Sequence, residues 1–193
     1  MAEKTLSTDS STRVVAGWTG RLWEDFAVGD IYYHPLGKTV TEGDNQMFTL
    51  MTQNVAKTHI DSNYALRTEY KLPLVNSTFI LALVTGQSTI DLSMNVFANL
   101  GWDEVRMPSP VFEGDTIYSR SKVLATRASK SRPTLGLVTV ATEGYNQDSV
   151  IVMSYRRTFM VYRQGHLPSV EDSRPSEATL PATLPATPAA EAR

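Results

Sequence analysis

A chain of 193 residues suits one domain, or one domain with a tail, and its 41% hydrophobic content is enough for a core. The formal net charge of −2, without a basic stripe, gives no electrostatic case for binding nucleic acid. There is no cysteine, which excludes a disulfide scaffold, a thiolate zinc site and a thiol nucleophile, and fits a reducing cytoplasm.

Residues 1–17, MAEKTLSTDSSTRVVAG, are polar, carry no apolar signal core and read as a disordered lead. GRLWEDFAVGD (20–30) mixes aromatics with turn residues, so Trp23 and Phe26 are expected on the domain edge. A first strand is expected over 31–40, IYYHPLGKTV. Thr41 and Asp44 have capping-box spacing and open a short helix to Met51, with Met47, Phe48 and Met51 on one face. Asp61 is placed to cap a second short helix, Ser62 to Thr68, and the polar stretch 53–60 lies between the two. PLVNSTFILALVTGQSTIDLSMNV (73–96) is the longest helical pattern, with Asn76 as its N-cap. Phe79, Ile80, Leu83, Val84, Ile90 and Met94 make it apolar around most of its circumference, as in a helix packed on several sides. Its apolar run FILALV (79–84) is far too short to cross a membrane.

Beyond it the hydrophobic period changes from 3.6 to 2, and strands are expected at 98–107, 115–127, 135–146 and 149–163, with YNQDSV (145–150) as a hairpin turn. The last strand is long enough to pair on both sides. From Gln164 the chain turns Pro/Ala/Thr-rich, and TLPATLPATP cannot bury enough apolar surface to offset its ordering entropy, so 164–193 reads as a disordered tail. Strand, short helices, long helix, then four strands implies an α+β domain over 18–163. One antiparallel sheet wrapped around one central helix, the hot-dog fold, satisfies that order.

Of the three histidines, His166 lies in the tail and His34 stands beside Pro35 on the first strand, where a surface, structural role is expected. His59 sits just before a helix start among side-chain amides and hydroxyls, in QNVAKTH (53–59). A capping or solvent-facing histidine is the plain alternative to a reactive one. No second histidine lies three or four residues away, so no metal site is expected. No Gly-x-Ser-x-Gly elbow supports a serine nucleophile either.

The segments VTEGDNQMFTLMTQN, RTEYKLPLVNSTF, ANLGWDEVRMPSPVFEGDTI and SRPTLGLVTVATEGYNQD, in that order, resemble the MaoC-like branch of the hot-dog superfamily, which includes (R)-specific enoyl-CoA hydratases. They are most similar to its mesaconyl-CoA hydratase subgroup, whose relatives include β-methylmalyl-CoA dehydratases and itaconyl-CoA hydratases. The similarity covers about 20–163. The family places an Asp five residues before a His; here those positions are Asn54 and His59. The family's proline in that segment is Lys57, the His-Gly pair at its central-helix start is Asn76-Ser77, and a polar position within that helix is Ala82.

The resemblance implies reversible hydration of a short branched or dicarboxylic 2-enoyl-CoA, without a cofactor. Water must lose a proton as it attacks the β-carbon, the α-carbon must gain one, and the thioester oxygen carries the charge between. His59 is the candidate base, and Asn54 can hold the water without exchanging protons. Backbone amides at Asn76 and Ser77, at the positive end of the central helix, are candidate oxyanion donors. Lys57 and Arg67 are candidates for a substrate carboxylate, and Arg127, Lys130 and Arg132 for CoA phosphates; in each case a solvated surface charge is the plain alternative. Two other readings stand beside this one: a catalytically inactive hot-dog subunit that binds acyl-CoA or a partner, and a thioesterase, which the lack of a carboxylate at 54 disfavours. The resemblance and an exposed sheet edge imply a homodimer or higher homo-oligomer.

Overall fold

A computed structural model of the protein describes residues 17–168. Residues 1–16 of the expected lead and 169–193 of the expected tail lie outside the described residues.

Strands β1 (Ile31–Tyr33) and β2 (Lys38–Thr39) both pair antiparallel with β4 (Thr116–Ala128). The single strand expected over 31–40 is therefore two. Pro35 has no N–H for a ladder, and the Tyr118 ring packs against Gly37, where a Cβ would lie 2.4 Å from it. β5 (Leu135–Tyr145) and β6 (Ile151–Tyr162) follow β4 as antiparallel neighbours, and β3 (Val96–Arg106) pairs with β6 to close the order β1-β4-β5-β6-β3. The alternation of these long segments sets their register, so the last strand pairs on both sides as its length implied.

The sheet's inner face wraps α4 (Ser77–Gln87), whose Ile80 and Val84 pack with Val75, Ile117, Met153 and Tyr155. This is the α+β hot-dog arrangement. Asn76 caps α4: its Oδ1 accepts the Thr78 N–H at 3.0 Å. The helical pattern expected to 96 is interrupted, because Ser88 leads into a π-helical turn over Thr89–Ser93. Packing on α4 is also less complete than its apolarity implied; Ala82 and Gly86 are exposed on its outer face.

The π turn carries Asp91, whose carboxylate meets Arg21 at 3.3 Å and His34 Nδ1 at 2.8 Å. His34 is thus buried, 5% exposed, with Nε2 bonded to Ser121 Oγ at 2.9 Å; the surface position expected for it is wrong. Phe26 belongs to a second core cluster with Leu92, Val138 and Phe159, while Trp23 lies over Gly136, where any Cβ would meet the indole.

Three short helices precede α4: α1 (Glu42–Met51), α2 (Lys57–Ile60) and α3 (Ser62–Ala65). The capping box forms as read. Asp44 N–H donates to Thr41 Oγ1 at 3.2 Å, and Thr41 N–H donates to Asp44 Oδ2 at 2.9 Å. The face of α1 is not as read. Asn45 and Thr49, four apart, are buried, while Met47, Leu50 and Met51 are more than 60% exposed. Gln53 and Lys71, on either side of α2 and α3, both have φ of 58°.

Candidate active site

Three segments distant in sequence meet around one asparagine. Asn45 Nδ2 donates to the carbonyls of His59 at 3.1 Å and Leu74 at 3.2 Å, and its Oδ1 accepts the Asn76 N–H at 2.9 Å. Each buried backbone group so engaged avoids the cost of an unmade bond. Asn76 Nδ2 reaches Thr49 Oγ1 at 3.3 Å, and the Leu74 N–H donates to the Thr58 carbonyl at 3.0 Å. Helix α1 therefore fixes both the turn that bears His59 and the start of α4.

His59 lies within α2, so the stretch expected as a loop between helices contains a helical turn. Its Nδ1 is 2.9 Å from the Leu74 carbonyl oxygen. A carbonyl only accepts, so Nδ1 carries the hydrogen, and it is Nε2 that is left to hold or give up a proton.

The ring lines a cavity of about 260 Å³. The other walls are Tyr70, Leu74, Val75, Ser77, Ile80, the 107–111 segment, Val152 and Met153. On the other side of the ring, a smaller polar cleft is lined by Glu42, Gln46 and Glu113. Among the described residues no group of three or more His, Asp or Glu side chains comes together as metal ligands.

The structure brings together only part of the expected set. Ser77 joins His59 on the cavity wall, and no partner to its N–H is found among the described residues. Asn76 does not offer a free amide, since Asn45 takes it; the pair of oxyanion donors is reduced to Ser77. Asn54 is not on the wall: its Oδ1 accepts the Ala56 N–H at 3.2 Å, closing the turn into α2. Lys57 is exposed outside the lining, and Arg67, just past α3, reaches back to the Asn63 carbonyl. Arg127, Lys130 and Arg132 are at the β4–β5 hairpin, the opposite end of the sheet from the cavity, with Arg132 stacked 4.7 Å over Phe97. They do not meet His59 within this chain.

Asn45, the Leu74 carbonyl and the 107–111 rim also build this candidate site, and none of them is among the residues expected from the sequence. The Asn45/Thr49 pair at helical spacing was a signal for the first, and the two prolines of MPSPV for the last.

The family model described as Mesaconyl-CoA hydratase matches residues 5–183. The chain belongs to the mesaconyl-CoA hydratase family. It is 30% identical to a β-methylmalyl-CoA dehydratase of Chloroflexus aurantiacus, over 86% of this chain and 50% of that protein. It is 33% identical to a mesaconyl-CoA hydratase of Cereibacter sphaeroides, over 75% of this chain and 42% of the other. A crystal structure of a MaoC domain dehydratase from Chloroflexus aurantiacus superposes with a TM-score of 0.75 at 28% identity, covering 81% of this chain and 44% of that one. This mesaconyl-CoA hydratase family member thus spans about half the length of the relatives it matches.

Proposed function

We propose that the protein hydrates a short-chain 2-enoyl-CoA reversibly, as a hydro-lyase. The observation that carries this is His59, on a cavity wall with its Nδ1 hydrogen held by the Leu74 carbonyl. Family membership and the names of the relatives support the same chemistry. Nε2 takes a proton from water as the water oxygen bonds to the β-carbon. The same nitrogen returns a proton to the α-carbon, and the Ser77 N–H stabilises the oxyanion formed between these steps. Asn54 shapes the turn that presents His59. No cofactor enters the reaction.

A second reading, an acyl-CoA-binding subunit without chemistry, is favoured by one observation: no carboxylate lines the cavity beside His59. Loss of conjugated-thioester absorbance decides between them. Turnover in wild type, reduced about 10²–10⁴-fold in a folded His59→Ala variant, supports the hydratase. No turnover on crotonyl-CoA or mesaconyl-CoA by folded wild-type protein rejects it.

We also propose that the protein acts as a homodimer or a multiple of one. Edge strand β3 exposes Phe97, Leu100 and Trp102, and α1 exposes Met47, Leu50 and Met51. Light scattering at micromolar concentration should give at least twice the 21.3 kDa chain mass; a monodisperse monomer overturns this.

A further inference from the structure

We infer that a second copy of this chain completes the site: Arg127, Lys130 and Arg132 of one protomer bind the CoA phosphates of the thioester held beside His59 of the other. The inference rests on the enoyl-CoA reading above and assigns its CoA contacts.

The edge strand sets the geometry. β3 has a neighbour on one side only, β6, and exposes Phe97, Leu100 and Trp102. A two-fold axis at mid-strand, near Gly101, pairs two copies of it antiparallel. In that register Leu100 of one copy faces Trp102 of the other, and Asp103 and Glu104 face the uncharged Asn99 and Ala98. Parallel pairing in register would set Asp103 against Asp103 and Glu104 against Glu104, and like charges directly opposite destabilise a sheet. The apolar and acidic positions of the strand thus suit an antiparallel second copy.

The two ends of β3 decide what meets. The strand runs from Val96 to Arg106, roughly 33 Å. Met107 to Val111, which continue it, line the cavity with His59. At the other end the Arg132 guanidinium lies 4.7 Å from the ring centroid of Phe97, the second residue of the strand. Within one chain the hairpin cations and the cavity are therefore a strand length apart. Antiparallel pairing brings Phe97 of the second copy beside the end of β3 in the first, and Arg132 with its neighbours comes to the cavity rim.

These cations are uncommitted. Arg120, Arg156 and Arg163 each pair with a glutamate: Glu143, Glu104 and Glu24. Arg127, Lys130 and Arg132 are exposed and join no ion pair among the described residues. Residues 127–139 contain no Asp or Glu. Arginine's planar fork and the lysine ammonium both suit phosphate. The cavity of about 260 Å³ takes the acyl end, and the pantetheine arm carries the phosphates past the rim to the second copy.

The chain has no cysteine, so introduced ones report cleanly. Met107→Cys/Ser131→Cys, treated with a short bis-maleimide, should give a covalent dimer, and neither single variant should. No covalent dimer from the folded double variant, or as much from a single variant, overturns the inference. Calorimetry with CoA itself should show Arg127→Ala/Lys130→Ala/Arg132→Ala binding about tenfold more weakly than wild type, or worse. Equal affinity overturns it. Neither readout needs turnover, so if folded wild-type protein hydrates no enoyl-CoA the hydratase reading falls and these two still decide the present one. Given turnover, co-expressed mixed dimers of the triple variant and His59→Ala hold one intact site and should recover about half of the wild-type kcat/KM. Mixed dimers no more active than the better parent place the hairpin and His59 of each site in one chain, which also overturns it.

Discussion

His59 depends on a neutral acceptor. The Leu74 carbonyl fixes the tautomer at Nδ1 but brings no full negative charge to stabilise an imidazolium. Asn45 holds that carbonyl in place while also bonding the His59 carbonyl and the Asn76 N–H. Asn45→Ala should therefore act on both stability and rate. The Leu74 carbonyl keeps the His59 ring as a partner, but the Asn76 N–H and the His59 carbonyl lose theirs, at up to about 1–3 kcal/mol each, so a lower urea midpoint, from a loss of unfolding free energy of that order, should accompany a fall in kcat. An unchanged midpoint would show that water replaces the side chain. His59 was legible in the sequence because its signal is local: a histidine among polar residues, five after an asparagine. Asn45 was not, because its partners are backbone atoms up to 31 positions away, and no spacing rule reports on such a contact.

The elements divide in the same way. Thr41 and Asp44 satisfy each other within one turn, and their spacing predicts the start of α1 directly. Thr41→Ala should cost about 1 kcal/mol in chemical denaturation. Lys38, hydrogen-bonded to Asp44 at 2.8 Å, joins Thr41 in holding that carboxyl down at about 2. A depressed carboxyl contributes stability that is complete above its ordinary range, near 3.8, and fades as pH falls toward 2. Asp44→Asn should flatten the stability curve over that acid window and leave the curve above pH 5 parallel to wild type. The four long strands were legible from their period of two. The break between β1 and β2 was only half written there: Pro35 is visible in the sequence, but the close packing of Tyr118 on Gly37 comes from a strand some eighty residues later. The face of α1 was misread because the period shows an apolar stripe without showing which side meets the core. There the polar pair faces inward, Asn45 bonding backbone groups and Thr49 the Asn76 side chain, and the methionines face out.

Across the whole molecule, the His34–Asp91 contact joins the first strand to the end of the central helix, and Arg21 adds the segment before that strand. Burial pushes the His34 imidazole below its ordinary value, although the Asp91 carboxylate pulls the other way; burial is the larger effect because the ring is shut in against Ser121. Protons then bind the unfolded chain more readily than the folded one. Stability from this group is complete above about pH 6.5 and declines as pH falls from there toward the folded-state value. Thermal unfolding followed from pH 7.5 to 5 should show that decline in wild type and a shallower one in His34→Gln. Equal slopes would remove His34 as the cause. None of this was legible in the sequence, where a histidine beside a proline reads as surface.

Gln53 and Lys71 carry a consequence for protein engineering. Both are L-residues in the left-handed conformation that glycine adopts freely, and they stand at the two ends of the stretch bearing His59. That conformation costs a side-chain-bearing residue about 1–2 kcal/mol, and glycine's looser unfolded chain returns about 0.5–1 of it. Gln53→Gly and Lys71→Gly together thus offer a modest gain in heat resistance from two turn positions. Neither contributes an atom to the cavity wall, so each substitution changes the backbone beside the site without removing one of its lining side chains.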